Sequence, residues 1–288
     1  MIETQLLVGS KGVFGSAYTS MFGSSLRIIE ISQQNRAELF GASFDITSMQ
    51  KTSLEFLKKH EISRVIYCAQ HSNYRDLSTI NINNLFEVND FFLLALLLSS
   101  RELGCDVTYF SSGSVYSESN EKFYESSSIK IPSDSNPYVA SKIAAEYFAN
   151  SIVDPSKLLI LRPFFIFGLN QKEQTLVPSL IAKVRSGEEI TLQGEFGLTF
   201  NPIFSRDAAQ LVFSLQKRKA SGVFNLSGSH VTNIKEIAEL IGALLMARPG
   251  FRVISSTSPR IVGDNTKLLG FVETYFETSL EQSLTSII

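Results

Sequence analysis

The segment "NPYVASK" (136–142) sets a tyrosine and a lysine four residues apart behind an Asn-Pro pair. Asn136 suits a helix N-cap and Pro137 the first helical position, where the missing N–H has no partner to lose. Residues at i and i+4 share a helix face, so the spacing predicts Tyr138 and Lys142 side by side on the first turns. A phenol beside an ammonium makes an acid that works near neutral pH, because the cation favours the phenolate and lowers a pKa of about 10. With nine tyrosines in the chain the pair carries little alone, and its weight depends on the elements around it.

Short apolar runs at 5–9, 26–32, 42–46, 64–69, 107–112 and 158–163 alternate with helical stretches such as 52–60 and 83–103. Continuous apolar strands separated by helices predict an α/β protein with a Rossmann-type doubly wound parallel sheet, both faces covered. After Pro163 the rhythm changes, and "GVFNLSG" (222–228) reads as a strand returning to the main sheet. This predicts a dinucleotide-binding domain over 1–167 and a smaller, discontinuous substrate domain over 168–221 and 229–288, with the pocket between them.

The first strand runs into "GSKGVFG", so Gly9, Gly12 and Gly15 fall at the strand-to-helix turn. There a doubly wound fold binds a dinucleotide, since glycines let the backbone approach the pyrophosphate and the helix N-terminus stabilises its charge. NAD binders normally end the second strand on a carboxylate, whereas a basic residue suits the extra phosphate of NADP. Here Ser32 stands at that end, Arg36 follows, and Lys11 precedes Gly12, so NADP or NAD is the expected cofactor, with NADP favoured.

The G-x-x-G-x-x-G spacing, "FSSGSVY" (110–116) and "NPYVASK" together resemble the extended short-chain dehydrogenase/reductases, in the NAD(P)-dependent nucleotide-sugar epimerase/dehydratase family. "LRPFFIFG" (161–168) and "GDNTKLLGF" (263–271) extend the likeness over nearly the whole chain. The resemblance implies a catalytic group of Ser112, Tyr138 and Lys142, with Ser111 and Ser114 as competitors for the serine. It implies cofactor contacts from Val13, Phe14, Asp45 (towards adenine), Ile46, Ala69, Pro163 and Asn89, the last supporting the lysine through water. For the substrate it implies His71, Ser112, Gly113, Ser114, Phe165 and Arg206, although a solvated loop is the commoner place for His71. Three departures matter. Gly113 and Ser114 follow Ser112 where dehydratases carry an Asp-Glu pair, Phe165 stands at a usual asparagine, and Phe200 stands where many relatives carry arginine. "NP" at 201–202 and "CAQHSNYRD" (68–76) are closer to the dTDP-4-dehydrorhamnose reductase branch.

A net charge of −2 and no basic run argue against nucleic-acid or anionic-membrane partners. Cys68 and Cys105 form no C-x-x-C pair, which argues against a disulfide framework or a metal site. No charged-then-apolar leader opens the chain, and the apolar run 91–98 is far shorter than a bilayer span, so a cytoplasmic protein is expected, with that run as a sheet-packing helix that could also meet a second copy in a homodimer. The functional expectation is an epimerase or reductase acting on a nucleotide sugar. A non-catalytic cofactor-binding regulator on the same scaffold is the competing one.

Overall fold

The computed structural model describes residues 3–41, 45–71, 73, 76, 78–117, 121–131, 135–272, 275 and 277–288. The first half runs β1 (Thr4–Val8), α1 (Val13–Phe22), β2 (Arg27–Ile31), α2 (Arg36–Phe40), α3 (Ile46–Lys59), β3 (Ile62–Tyr67), α4 (Thr79–Phe86), α5 (Phe92–Leu103), β4 (Asp106–Phe110) and α6 (Pro137–Ile152). The second half runs β5 (Leu158–Pro163), β6 (Ile166–Phe167), α7 (Leu176–Ser186), β7 (Ile190–Gln193), β8 (Thr199–Phe200), β9 (Ile203–Phe204), α8 (Ser205–Lys217), β10 (Gly222–Leu226), β11 (Thr232–Asn233), α9 (Ile234–Leu245), β12 (Phe251–Ser255), β13 (Arg260–Ile261), α10 (Thr266–Phe271) and α11 (Leu280–Thr285).

Six strands form one parallel sheet in the order β10-β5-β4-β3-β1-β2. The period-2 alternation of the strands divides their apolar residues between two cores. Leu6, Val8, Val65, Tyr67, Val107 and Tyr109 face α3, α5 and α6, whereas Leu7, Ile66, Phe110, Leu159 and Leu161 face α1 and α8. Thus α8 lies on the sheet although its sequence falls within 168–221. A third core gathers Val177, Leu180, Ile190, Phe200, Ile237 and Ile241 from the carboxyl-terminal elements. The chain leaves β1 for β2 on one side and resumes at β3 on the other, so a crevice opens at the carboxyl ends of β1 and β3.

The strand expected over 42–46 is described only at its last two residues. Residues 42–44 lie outside the described residues, and Asp45 instead caps α3, accepting a hydrogen bond from Ser48 N at 2.8 Å. The cap makes Ile46 the first residue of a helix rather than the last of a strand. The 91–98 run is part of a longer helical stretch, Thr79–Leu103, which is long and apolar enough to cross a membrane by length and composition. Its Leu85, Phe92, Leu93, Leu96 and Leu97 are buried in the protein, which accounts for that apolarity. Within it, Glu87–Phe91 widens into a π turn.

The outer edge of β10 is covered by side chains. Asn225 N–H donates to Glu125 Oε1 at 2.8 Å, and Lys267 Nζ donates to the Val223 carbonyl at 2.6 Å. Deeper in, Arg162 on β5 and Glu146 on α6 form a bidentate pair, with Nε to Oε1 at 2.9 Å and Nη2 to Oε2 at 2.6 Å. Burial opposes the guanidinium charge, and the bonds to Glu146 more than offset it, so the Arg162 pKa rises. The side chains are 4% and 8% exposed, so removing one partner strands the other's charge. Glu146→Ala should therefore destabilise the fold by about 3–5 kcal/mol in urea denaturation. A loss below about 1 kcal/mol, typical of an exposed ion pair, would show that the pair does not hold α6 to the sheet.

Candidate active site

Gly9 ends β1 with φ +101°, and its N–H donates to the Ile31 carbonyl at 2.8 Å. A Cβ there would stand 2.5 Å from Ala69 N, and one on Gly15 would stand 2.4 Å from Gly9 O. Only glycine lets β1, β3 and the first turn of α1 approach so closely. Gly12 is the N-cap of α1 but offers no side-chain cap, and the first turn carries no acidic residue. Its N–H groups and positive dipole end are therefore available to an anion. This turn forms one wall of a cavity of about 810 Å³ that reaches from Lys11 and Arg36 to Phe165 and Lys172. A cradle that any Cβ would fill, an uncapped helix start and a cavity of this size fit a dinucleotide.

The far end of β2 is organised by Asn35, whose Oδ1 accepts from Ser32 N at 2.8 Å and whose Nδ2 donates to the Glu30 carbonyl at 3.0 Å. Lys11, Ser32 and Arg36 all line the cavity. Arg36 is partly engaged: its Nη1 lies 3.3 Å from Glu87 Oε2 and its guanidinium 5.4 Å from the Phe92 ring centre. Val13, Phe14, Ala69, Pro163, His71 and Phe165 also line the cavity.

Helix α6 starts as its sequence predicts, with Val139 N donating to Asn136 Oδ1 at 3.0 Å and Pro137 in the first turn. Tyr138 reaches the cavity, where its hydroxyl bonds to Ser112 and donates to Gln70 Oε1 at 3.0 Å. The three candidate serines separate cleanly. Ser112 lines the cavity, Ser111 is buried and donates to Glu146 Oε1 at 2.5 Å, and Ser114 is exposed, its N–H donating to Ser112 Oγ at 3.1 Å. Lys142 lies beneath, 1% exposed, with Nζ donating to the Phe110 carbonyl at 2.8 Å and 5.8 Å from the Tyr138 ring centre. Burial pushes its amine down to about 8, with Asp90, Cys68 and Glu146 opposing. The expected lowering of the Tyr138 pKa does not hold. Burial raises it, and the Ser112 hydrogen bond works the other way.

Several expected contacts are not brought together. Asp45 is exposed and occupied as the α3 cap, and neither it nor Ile46 reaches the cavity. Asn89 is fully buried, with Oδ1 accepting from His71 N (2.8 Å) and Nδ2 donating to His71 O (3.0 Å) and Ser141 Oγ (3.0 Å). It thus clamps the start of the post-β3 segment against α6. Arg206 projects to solvent from α8, away from the cavity. Gly113 is buried beside Phe164 and does not line the cavity, nor does Ser114. Phe200 and Phe165 pack together, centres 4.6 Å apart, giving that part of the cavity an aromatic wall. Sequence reasoning missed Gln70 and Lys172. Gln70 was within reach, since it follows β3 at the switch-point end of the sheet, whereas Lys172 depends on how the 168–175 segment folds back.

Compared with known proteins, residues 5–227 match the NAD dependent epimerase/dehydratase family. The chain is 26% identical to human dTDP-D-glucose 4,6-dehydratase over 168 residues, which are 57% of this chain and 47% of that protein. It therefore matches only about half the length of that relative. It is also 26% identical to GDP-6-deoxy-D-mannose reductase of Pseudomonas aeruginosa over 223 residues, covering 73% of this chain and 72% of the relative. Its fold is similar to the structure of dTDP-4-dehydrorhamnose reductase from Bacillus anthracis str. Ames in complex with NADP, with a TM-score of 0.79, 18% identity, and coverage of 99% and 98%.

Because a Gly15 methyl would meet backbone rather than a yielding side chain, Gly15→Ala should cost about 1–3 kcal/mol in urea denaturation. It should also abolish the rise in melting temperature that a bound dinucleotide gives the parent protein. A variant with an undiminished rise would show that the turn does not carry the ligand.

Proposed function

The chain belongs to the NAD dependent epimerase/dehydratase family, and on that premise we propose that it is an NAD(P)-dependent epimerase or reductase acting on a sugar carbon of a nucleotide-activated sugar. The observation that carries this reading is the convergence of Tyr138 and Ser112 on the cavity that the Gly9–Gly15 cradle opens, with Lys142 beneath them. The reductase relative, 72% of which this chain spans, supports the oxidoreductase side of the assignment.

Gly9, Gly12, Val13, Phe14, Gly15 and Ala69 would hold the cofactor against the uncapped start of α1, and Pro163 would close the far side. When bound, the nicotinamide supplies or accepts the hydride at the sugar carbon. Ser112 holds the substrate oxygen, and Tyr138 gives it a proton or takes one. The resting contact between Tyr138 and Gln70 would yield to that oxygen. Lys142 holds a positive charge under the phenol and lies where the ribose would approach. Dehydration lacks its acid and base, since Gly113 and Ser114 occupy the positions after Ser112. Phe165 and Phe200 give the sugar an apolar wall, with His71 and Lys172 as polar groups around it.

Cys68 and Cys105 are free thiols, which suits a reducing, cytoplasmic setting. Ile80 on α4 is 77% exposed, Phe91 in the π turn 47% and Tyr147 on α6 70%, apolar side chains that a two-fold dimer through this helical layer would cover. Light scattering at micromolar concentration should report twice the chain mass, and a strictly monomeric mass would reject the pairing.

With Ser32 rather than a carboxylate at the end of β2, and Lys11 and Arg36 on the cavity wall, NADP(H) should raise the melting temperature more than NAD(H) at equal concentration. Equal shifts, or a larger one with NAD(H), would overturn this preference. Against a panel of nucleotide sugars, Tyr138→Phe should lose about 10²- to 10⁴-fold in turnover while retaining cofactor binding. Lys142→Met should lose turnover and cofactor affinity together. Normal turnover by Tyr138→Phe would refute the mechanism. A folded, cofactor-binding parent inert towards every nucleotide sugar would instead favour a regulatory role.

A further inference from the structure

Glu87, the first residue of the π turn, is 6% exposed, a rare place for a carboxylate unless it is paired. Among the described residues its side chain has one partner, Arg36, whose Nη1 lies 3.3 Å from Glu87 Oε2. Arg36 opens α2 and lines the cavity, with 34% of its side chain exposed. Its guanidinium also rests over the Phe92 ring, which is itself stacked on Phe40 with centres 4.1 Å apart. Asn84, Val88 and Phe92, each four residues after the last, line the same cavity. The Glu87 carboxylate thus stands behind the cavity wall and meets it through one cation.

A buried carboxylate with a single 3.3 Å contact is a weak device for stability, because the cost of desolvating the charge offsets much of the attraction. Its effect on the cavity is larger. A guanidinium is always charged and has five N–H donors, and Glu87 is the one acceptor that Arg36 has among the described residues, so the other donors are open to an anion. The carboxylate behind it cancels part of the positive potential that such an anion would meet. Among the described residues no aspartate or glutamate lines the cavity, and Ser32 stands at the end of β2. The acid therefore acts on this wall from behind Arg36 and not from the strand end.

We propose that Glu87 sets the balance between NADP and NAD, as a positioning residue that acts through Arg36. It holds the guanidinium against Phe92 and cancels part of its charge. The two dinucleotides differ by one phosphate on the adenosine ribose, so NADP responds more strongly than NAD to the net charge of this wall. NAD meets a cavity without the carboxylate that usually takes its ribose hydroxyl, and NADP meets an arginine whose attraction is blunted. Neither is excluded. The inference rests on the cofactor site proposed above and is independent of which sugar is the substrate.

The test is calorimetric titration of the full chain with NADP⁺ and with NAD⁺ at low ionic strength, where a charge effect is least screened. In Glu87→Gln the amide oxygen can still hold Arg36 while the negative charge is gone. NADP⁺ should bind more tightly and NAD⁺ almost as before, so the ratio of the two dissociation constants should move towards NADP by about three- to thirtyfold. Glu87→Asp, which keeps the charge, should keep the ratio close to the parent's. In an Arg36→Gln background, Glu87→Gln should leave the ratio unmoved, because the residue through which it acts is gone. A ratio that Glu87→Gln leaves in place or moves towards NAD would overturn the proposal. So would an equal weakening of both cofactors, the mark of a merely structural pair, or a shift as large in Glu87→Asp. Because a change in ratio is read, the proposal stands or falls whichever cofactor the parent prefers, whereas a parent that binds neither would sink the cofactor site and the proposal together. Should Arg36→Gln not fold, the contrast between Glu87→Gln and Glu87→Asp decides.

Discussion

The paired Glu146 and Arg162 side chains fix the helix that bears Tyr138 and Lys142 to the strand that floors the cavity. Glu146 lies one turn beyond Lys142 and two beyond Tyr138 on α6, so holding its carboxylate sets the height and rotation of both. The same carboxylate accepts from Ser111, which fixes the backbone immediately before Ser112. All three candidate catalytic residues are thus referenced to one buried carboxylate. A bidentate guanidinium defines that reference in angle as well as distance, which a lysine in its place could not. The Arg162 guanidinium also lies 4.8 Å from the Tyr116 ring centre, and the Tyr116 hydroxyl donates to Asn225 Oδ1 at 2.6 Å on β10. The constraint therefore runs across three adjoining elements of the fold.

Burial decides the electrostatics of the site. Lys142 is buried beside the end of β4, and burial lowers its amine pKa to about 8, below that of a lysine in water. The tyrosine above it is affected in the opposite sense, since desolvation disfavours the phenolate. The protein alone thus keeps the phenol uncharged and brings the Lys142 amine pKa to about 8, nearer to neutral pH than that of a lysine in water while the ammonium still dominates.

Much of this was legible in the sequence because local chemistry and tertiary position agreed. The Asn-Pro start of α6, the i, i+4 spacing of Tyr138 and Lys142, and the glycines after β1 each have a local physical reason, and the structure keeps them. What failed depended on side-chain partners far along the chain. The Asn89 amide holds the backbone of His71, eighteen residues earlier, a contact that no local pattern announces. The π turn at Glu87–Phe91 has no marker in a uniformly helical pattern. Asp45 serves as the cap of α3, and Arg206 shows that a charge near an expected position need not point the same way. The phenol's pKa was misjudged because spacing reports the neighbouring cation and is silent about desolvation.

The covered edge of β10 has a bearing on the fate of the whole molecule. A parallel sheet ending in bare N–H and C=O groups is a template onto which another chain can add a strand, and then another. Here the Glu125 carboxylate holds the Asn225 N–H and the Lys267 ammonium holds the Val223 carbonyl, so an incoming strand would have to displace two charged groups before its first backbone bond formed. Open-ended growth from that side is blocked by chemistry at two atoms, and the protein gains resistance to fibrous association without lengthening or burying the strand itself.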